Sequence, residues 1–207
     1  MATRRGTFIV LEGIDGSGTT TQLRLIGDWL ARRRVRHHLT REPSDGPIGM
    51  LIRAVLGGRL RSAGGAPFDR RALALLFAAD RLDHVTSEIL PRLADGVTVV
   101  SDRYVCSSLA YQAQDCPRAW VGEINRLVPV PDLCIFLRVD PRAAEGRMRR
   151  SRQTRDIFEQ IAFQRRVAAG YERAVLAVPR RRLLSIDGTL PVEAVFAMIR
   201  GRLEGVV

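Results

Sequence analysis

A chain of 207 residues with 46% hydrophobic content is long enough for one domain with a full core and too apolar to be disordered. No apolar run reaches the ~18 residues of a membrane-spanning helix, which excludes a helical membrane protein. The formal net charge is +11, and with no lysine present all 33 basic residues are arginine; such a chain calls for anionic partners, whether nucleic acid, anionic lipid or phosphorylated small molecules.

Residues 1–6 lead into the first strand without the apolar region of a signal peptide. Cys106, Cys116 and Cys134 fit neither a disulfide framework nor a zinc site, so a reducing, cytoplasmic setting is expected. The run Phe8-Ile9-Val10-Leu11 reads as a strand buried on both faces. It passes through Glu12 into the glycine-rich stretch Gly13-Ile14-Asp15-Gly16-Ser17-Gly18-Thr19-Thr20 and then into a helical face of Leu23, Ile26, Trp29 and Leu30. Strand, glycine loop and helix together make a phosphate-binding loop, in which backbone N–H groups and the helix dipole face an anion. The stretch matches G-x-x-x-x-G-K-[ST] at Gly13, Gly18 and Thr20; Thr19 stands where the lysine belongs. Thr20 keeps the hydroxyl that meets Mg²⁺, but one full charge is missing from a dry site.

Further strands are expected at residues 37–41, 97–102, 133–139 and 183–187, after the first at 7–12. Alternating with helical patterns, they predict an α/β fold with a five-stranded parallel sheet, one domain over residues 1–207, and ligands at the carboxyl ends of the strands. A helix opens at Pro47, and a longer one runs from about residue 69 to 90, with Pro91 as its stop. Phe77 and Arg81 share a face of that helix at i and i+4; periodicity alone favours packing Phe77 in the core, the other reading being an aromatic plane for a base. Asp102 ends the third strand, where a carboxylate can hold a Mg²⁺-bound water. Arg41, Arg81 and Arg103 gather near the same edge and suggest a second anionic ligand. Another helix begins around Ser107, and Asp140-Pro141 starts the next. The arginine cluster at 147–155 lies between two helices and reads as a lid over transferring phosphoryl groups, or else as a solvated basic surface or a nucleic-acid patch, which its lack of aromatics argues against. The closing helix is expected to turn Val195, Met198, Ile199 and Leu203 inward.

Five pieces, in order, carry a resemblance to the thymidylate kinase family: Glu12 through Gly18, Thr40-Arg41-Glu42-Pro43, Leu76-Phe77-Ala78-Ala79-Asp80-Arg81, Asp102-Arg103-Tyr104 with Ser107-Ser108-Leu109-Ala110-Tyr111-Gln112, and Pro131-Asp132. The resemblance spans nearly the whole chain. It implies a P-loop nucleoside monophosphate kinase fold, a homodimer packed through helices, and transfer of the γ-phosphoryl group of ATP to dTMP with Mg²⁺. By resemblance, Gly13 to Thr20 hold the ATP phosphates, and Thr20 and Asp102 serve the metal. Asp15 meets the deoxyribose 3′-hydroxyl, Arg41 and Arg103 grip the dTMP phosphate, and Phe77 stacks on thymine. Arg81 bonds its exocyclic oxygen, Ser108 and Gln112 line the base site, and Tyr111 crowds the sugar 2′ position.

Two departures stand beside it. One is Thr19; the other is the lid, at about residues 147–160, which reads Thr154-Arg155-Asp156-Ile157-Phe158-Glu159. An ungapped alignment puts Arg155 on the family's lid arginine, and Arg152 is the alternative; with Asp15 and Arg103, these are the candidate catalytic residues. The loop carries no arginine, so a lid arginine is expected to supply the charge missing at Thr19. Other readings are a kinase of a different pyrimidine monophosphate, a non-catalytic nucleotide-binding protein that has lost its lysine, and a basic nucleic-acid binder.

Overall fold

The computed structural model describes residues 5–148 and 157–207. Its centre is β1 (Phe8–Gly13), every residue of which is buried. Side chains alternate across a strand, so Phe8 and Val10 enter one core while Ile9 and Leu11 enter another on the opposite face. A strand apolar on both sides needs helices on both sides. The remaining strands are β2 (His37–Arg41), β3 (Thr98–Asp102), β4 (Leu133–Arg138) and β5 (Leu183–Asp187), and the sheet runs β2-β3-β1-β4-β5 with every pairing parallel. All five expected strands are present, within one residue at each end. Asp132 anchors the start of β1: its Oδ2 accepts from the Phe8 N–H at 2.9 Å and from Arg5 at 2.9 Å.

On one face of the sheet lie α1 (Thr19–Arg32), through Ile26, Trp29 and Leu30, and α9 (Val192–Leu203), through Val195, Ile199 and Leu203. Met198 was expected inward but is 47% exposed, because it falls off the stripe that those three residues make. On the other face lie α5 (Val105–Tyr111) and α8 (Ile157–Val175), with α7 (Pro141–Met148) beside them. The helix α2 (Pro47–Leu56) packs on α3 (Arg70–His84), and α3 and α6 (Arg118–Ile124) pack around α5 and its flanking turn. Because α1 leaves β1 towards one face and α5 leaves β3 towards the other, a crevice opens between the carboxyl ends of these neighbouring strands. That is where open α/β sheets bind ligands.

Pro91 does not stop the long helix. After α3 the chain widens into a π turn over Val85–Ile89, where the Leu90 N–H reaches back to the Val85 carbonyl, and continues as α4 (Leu90–Ala94). Proline lacks an N–H and crowds the preceding turn; here it occupies the first turn of a new segment, where both faults are tolerated.

Glycine is required at position 49 in α2. A Cβ there would lie 1.9 Å from the Ser44 carbonyl oxygen. Ser44 is itself locked, its N–H and Oγ donating to the buried Asp80 carboxylate at 2.8 and 2.6 Å. Gly49→Ala is therefore expected to lower stability by about 1–3 kcal/mol in denaturant unfolding, since backbone must move to admit a methyl group; an unchanged midpoint would contradict the packing described.

Glu12 is the one acid inside β1, and it is completely buried. Burial pushes its carboxyl from the ordinary 4.5 up to about 7, against a hydrogen bond from Ser107 and the nearby Arg103 and Arg81, which oppose the rise. The folded group therefore keeps its proton where the unfolded one has lost it. Stability falls as pH rises from about 4.5 to about 7, by roughly 3 kcal/mol at full effect. Relative to Glu12→Gln, the wild-type melting temperature should drop between pH 5 and pH 8; parallel curves would refute this assignment.

Candidate active site

The loop from β1 to α1 carries Gly16 at φ 78° and Gly18 at φ 98°, left-handed conformations that a side chain would strain. Gly13 is needed for a different reason: a Cβ there would meet the Ser17 Oγ at 2.5 Å and the Leu137 carbonyl at 3.0 Å. No side chain caps α1, and its first turn contains no acid. Its leading N–H groups and the positive end of its dipole are thus left for an anionic ligand. Thr19 is buried at 6% exposure, so the lysine position holds a packed, neutral side chain. Thr20 Oγ1 donates to Asp102 Oδ2 at 2.6 Å, across the crevice from β1 to β3. Asp102 Oδ1 is buried with no partner. This hydroxyl and half-satisfied carboxylate fit a Mg²⁺ ion that takes its other ligands from phosphate and water. Among the described residues no group of three or more His, Cys, Asp or Glu could cage a metal, which agrees with that mode of binding.

Beside the loop lies a cavity of about 440 Å³. Asp15 and Arg103 stand at one end, joined by a 2.7 Å ion pair. Gln164 on α8 holds the other Asp15 oxygen at 3.1 Å, and the Asp15 N–H donates to the Tyr111 hydroxyl at 3.2 Å. At the other end are Phe77, Arg81, Ser108 and Gln112. Phe77 is half-buried and lines the cavity, so the core packing that periodicity favoured is not what the fold does with it. Seven of the eight residues expected around the acceptor thus share one cavity: Asp15, Phe77, Arg81, Arg103, Ser108, Tyr111 and Gln112. Arg41 is outside its lining. It is exposed and pairs with Asp45 at 2.7 Å, a weak i,i+4 contact that leaves it free to swing.

Arg81 is fully buried and fully engaged. Its Nε and Nη2 bind the buried Glu42 carboxylate at 2.8 and 2.6 Å, Nη2 also reaches the Tyr104 carbonyl at 3.2 Å, and Nη1 donates to Ser108 Oγ at 3.0 Å and to Asn125 Oδ1. Four of its N–H groups therefore donate to protein acceptors, and the Nη2 approach to Glu42 is an ion pair. A base oxygen here would meet a guanidinium already anchored by Glu42, Tyr104, Ser108 and Asn125. The consequence passes to Ser108: having accepted from Arg81, its hydroxyl proton is available to a ligand. Gln112 Oε1 is buried without a partner and can accept. The cavity end thus offers one donor and one acceptor.

A second cavity of about 380 Å³ lies across the phosphate loop, lined by Ser17, Gly18, Thr21 and Gln22 and by the turn at Gly188–Val192. Arg147 borders it, donating to the Gly188 carbonyl at 2.9 Å. Arg152 and Arg155 lie outside the described residues, between α7 and α8. Sequence reasoning missed Ser107, Asn125, Gln164 and Tyr171 as site residues. The Tyr171 ring packs in the core with α8, and only its hydroxyl belongs to the site. The described buried side-chain atoms that lack partners are Glu12 Oε1, Ser17 Oγ, Gln22 Oε1, Asp102 Oδ1, Gln112 Oε1 and Gln164 Oε1. Ser17, Gln22 and Gln112 line the two cavities, and Asp102 and Gln164 bond the loop-side residues Thr20 and Asp15; buried polar atoms left unpaired in a native fold call for an explanation such as a ligand.

Comparison with known proteins agrees with this geometry. The model of the thymidylate kinase family matches residues 11–199. A probable thymidylate kinase of Thermococcus kodakarensis is 40% identical over 201 residues, covering 95% of this chain and 97% of its own. One from Pyrobaculum aerophilum is 46% identical over 167 residues, 79% of this chain and 80% of its own, and one from Pyrococcus abyssi is 36% identical over 206 residues, 97% and 99%. With the parallel sheet, the glycine loop and the paired cavities in place, the chain belongs to the thymidylate kinase family.

Proposed function

We propose that this chain is a single-domain kinase that transfers the γ-phosphoryl group of ATP to dTMP. The observation that carries the reading is that the phosphate loop and the acceptor cavity share Asp15: the residue belongs to the loop by sequence and lines the cavity with Arg103. A donor in the loop and an acceptor in the cavity would meet at that point. Residues Gly13, Ile14, Asp15, Gly16, Ser17, Gly18, Thr19 and Thr20 wrap the ATP phosphates, and the adenosine end lies towards Arg147 and the Gly188–Val192 turn. Thr20 and Asp102 would hold Mg²⁺, which would supply charge neutralisation on the phosphates.

In the cavity Phe77 stacks on thymine, while the Ser108 hydroxyl and Gln112 Oε1 read its oxygen and its N3–H. Arg81 holds Ser108 in that role, and Tyr111 closes off the 2′ side of the sugar. Asp15 meets the 3′-hydroxyl. Arg103 grips the acceptor phosphate, joined by Arg41 once it leaves Asp45. A phosphate nucleophile needs no strong base, so catalysis is positioning and charge neutralisation. The charge absent at Thr19 is supplied by a lid arginine, Arg152 or Arg155. The protein acts as a homodimer packed through α2 and α3, whose outer Met50, Leu51, Leu75 and Leu82 are exposed apolar groups. The setting is cytoplasmic, with neither nucleic acid nor membrane as partner; no described helix is long and apolar enough to cross a membrane, and the three cysteines are free thiols.

ADP release measured with ATP, Mg²⁺ and dTMP, against dUMP, dCMP, dGMP and AMP, should show turnover with dTMP far ahead of dCMP, whose base presents the opposite donor and acceptor pattern; equal rates would refute the reading. Among Arg149, Arg150, Arg152 and Arg155 changed singly to alanine, at least one should lower kcat by more than tenfold, about 1.4 kcal/mol of barrier. If none does, the lid arginines do not replace the lysine.

A further inference from the structure

Arg103 is held in a way the reaction alone does not explain. Its backbone adopts φ 79°, a left-handed conformation uncommon for a residue with a side chain, and its N–H donates to the Leu11 carbonyl at 2.8 Å. Its guanidinium lies over the Tyr111 ring, 5.3 Å from the centroid. Nη2 bonds Asp15, while Nη1 donates to the Gly13 carbonyl at 3.2 Å and to the Tyr171 hydroxyl at 2.9 Å.

From Tyr171 the hydrogen bonds run on inward. The Tyr171 hydroxyl and Ser107 Oγ are 2.8 Å apart, and Ser107 Oγ lies 2.6 Å from Glu12 Oε2. The direction of each proton follows from the chemistry. Arginine only donates, so the tyrosine oxygen accepts from Arg103 and its own proton goes to Ser107. Ser107 has one proton, and Glu12 Oε2 accepts it. The result is a one-way chain from Arg103 through Tyr171 and Ser107 to Glu12, with a longer direct contact from Arg103 Nη1 to Ser107 Oγ at 3.5 Å beside it. Bonds in series of this kind polarise one another. Tyr171 is completely buried, its ring stacked on Phe136 at 5.7 Å and edge-on to Tyr111 at 6.1 Å. Phenylalanine would make both ring contacts, so packing does not account for the hydroxyl.

We propose that Tyr171 and Ser107 are positioning residues that fix the Arg103 guanidinium in the orientation that grips the acceptor phosphate, with Glu12 as the fixed end of the chain. The inference rests on the reading of Arg103 given above. It also assigns α8, which follows the lid segment in sequence, a direct bond to the acceptor site.

The test compares Tyr171→Phe, Ser107→Ala, Ser107→Thr, the Tyr171→Phe/Ser107→Ala double variant and Arg103→Ala in the full chain, measuring KM for dTMP and for ATP, kcat and melting temperature. Tyr171→Phe and Ser107→Ala should each raise the dTMP KM at least about fivefold while the ATP KM stays within about twofold. Ser107→Thr, which restores a hydroxyl, should recover most of the loss. The double variant should be little worse than the poorer single, because the chain acts as one unit. If both single variants keep the dTMP KM while Arg103→Ala raises it severalfold, the positioning role is overturned and the reading of Arg103 stands. If Arg103→Ala leaves the dTMP KM unchanged, that reading falls and the positioning role with it. Equal rises in both KM values with a lowered melting temperature would mark general disruption and also overturn the proposal. Should Tyr171→Phe fail to fold, the Ser107 pair decides the question alone.

Discussion

The burial of β1 on both faces is the constraint from which the site follows. An apolar strand with no solvated side must be sandwiched by helices, and the chain meets this by sending α1 to one face and α5 to the other. The two departures leave a crevice between the ends of β1 and β3, and each strand delivers its own equipment there: the glycine loop and Thr20 from one, Asp102 and Arg103 from the other. The 2.6 Å bond between Thr20 and Asp102 and the 2.7 Å pair between Asp15 and Arg103 cross this crevice. They join at the site two strands that the sheet has already aligned.

The price of the arrangement is a set of buried ionisable groups. Glu12, Glu42, Asp80, Arg81 and Asp102 are all nearly inaccessible to water. Each is compensated in part by another member of the site: Glu42 by Arg81, Asp80 by Ser44, Asp102 by Thr20, Glu12 by Ser107. Buried pairs of this kind contribute little net stability but penalise any arrangement that separates them. They act here as a register, fixing the Arg41–Ser44 turn against α3 and the Arg103 turn against β1. Most of the described buried atoms left without partners belong to cavity-lining residues or to residues that bond the loop side. A protein that satisfies its buried polar atoms elsewhere and leaves these open is shaped for a polar, anionic occupant.

Much of this was legible in the sequence, for physical reasons. Fully buried parallel strands are short, β-branched and continuous, so the runs at Phe8–Leu11 and Thr98–Val100 announce themselves. The phosphate loop is legible because its glycines answer to backbone geometry, which local sequence encodes. What escaped depends on tertiary context. Pro91 looks like a stop because a proline inside an α-helix is one; the π turn that accommodates it leaves no composition signal. Phe77 and Tyr171 both sit at helical spacing among apolar residues, yet one faces a cavity and the other turns its hydroxyl towards Arg103. Periodicity reports which face of a helix is inward and says nothing about whether that interior is packed or open. Asn125 reaches Arg81 across 44 positions of sequence, a contact that no local pattern carries. The anchoring of Arg81 likewise follows only from partners distant in sequence, Glu42, Tyr104, Ser108 and Asn125.

The central claim is that the phosphate loop and the cavity behind Asp15 are two halves of one reaction path. Titration of the protein with a ligand that joins adenosine to thymidine through a polyphosphate chain tests it directly. A path continuous across Asp15 predicts that the joined ligand binds at least about a hundredfold more tightly than dTMP alone, because the second half binds at high effective concentration. It also predicts that Phe77→Ala and substitutions in the Gly188–Val192 turn each weaken it. Affinity no better than that of dTMP would contradict the claim and separate the two cavities.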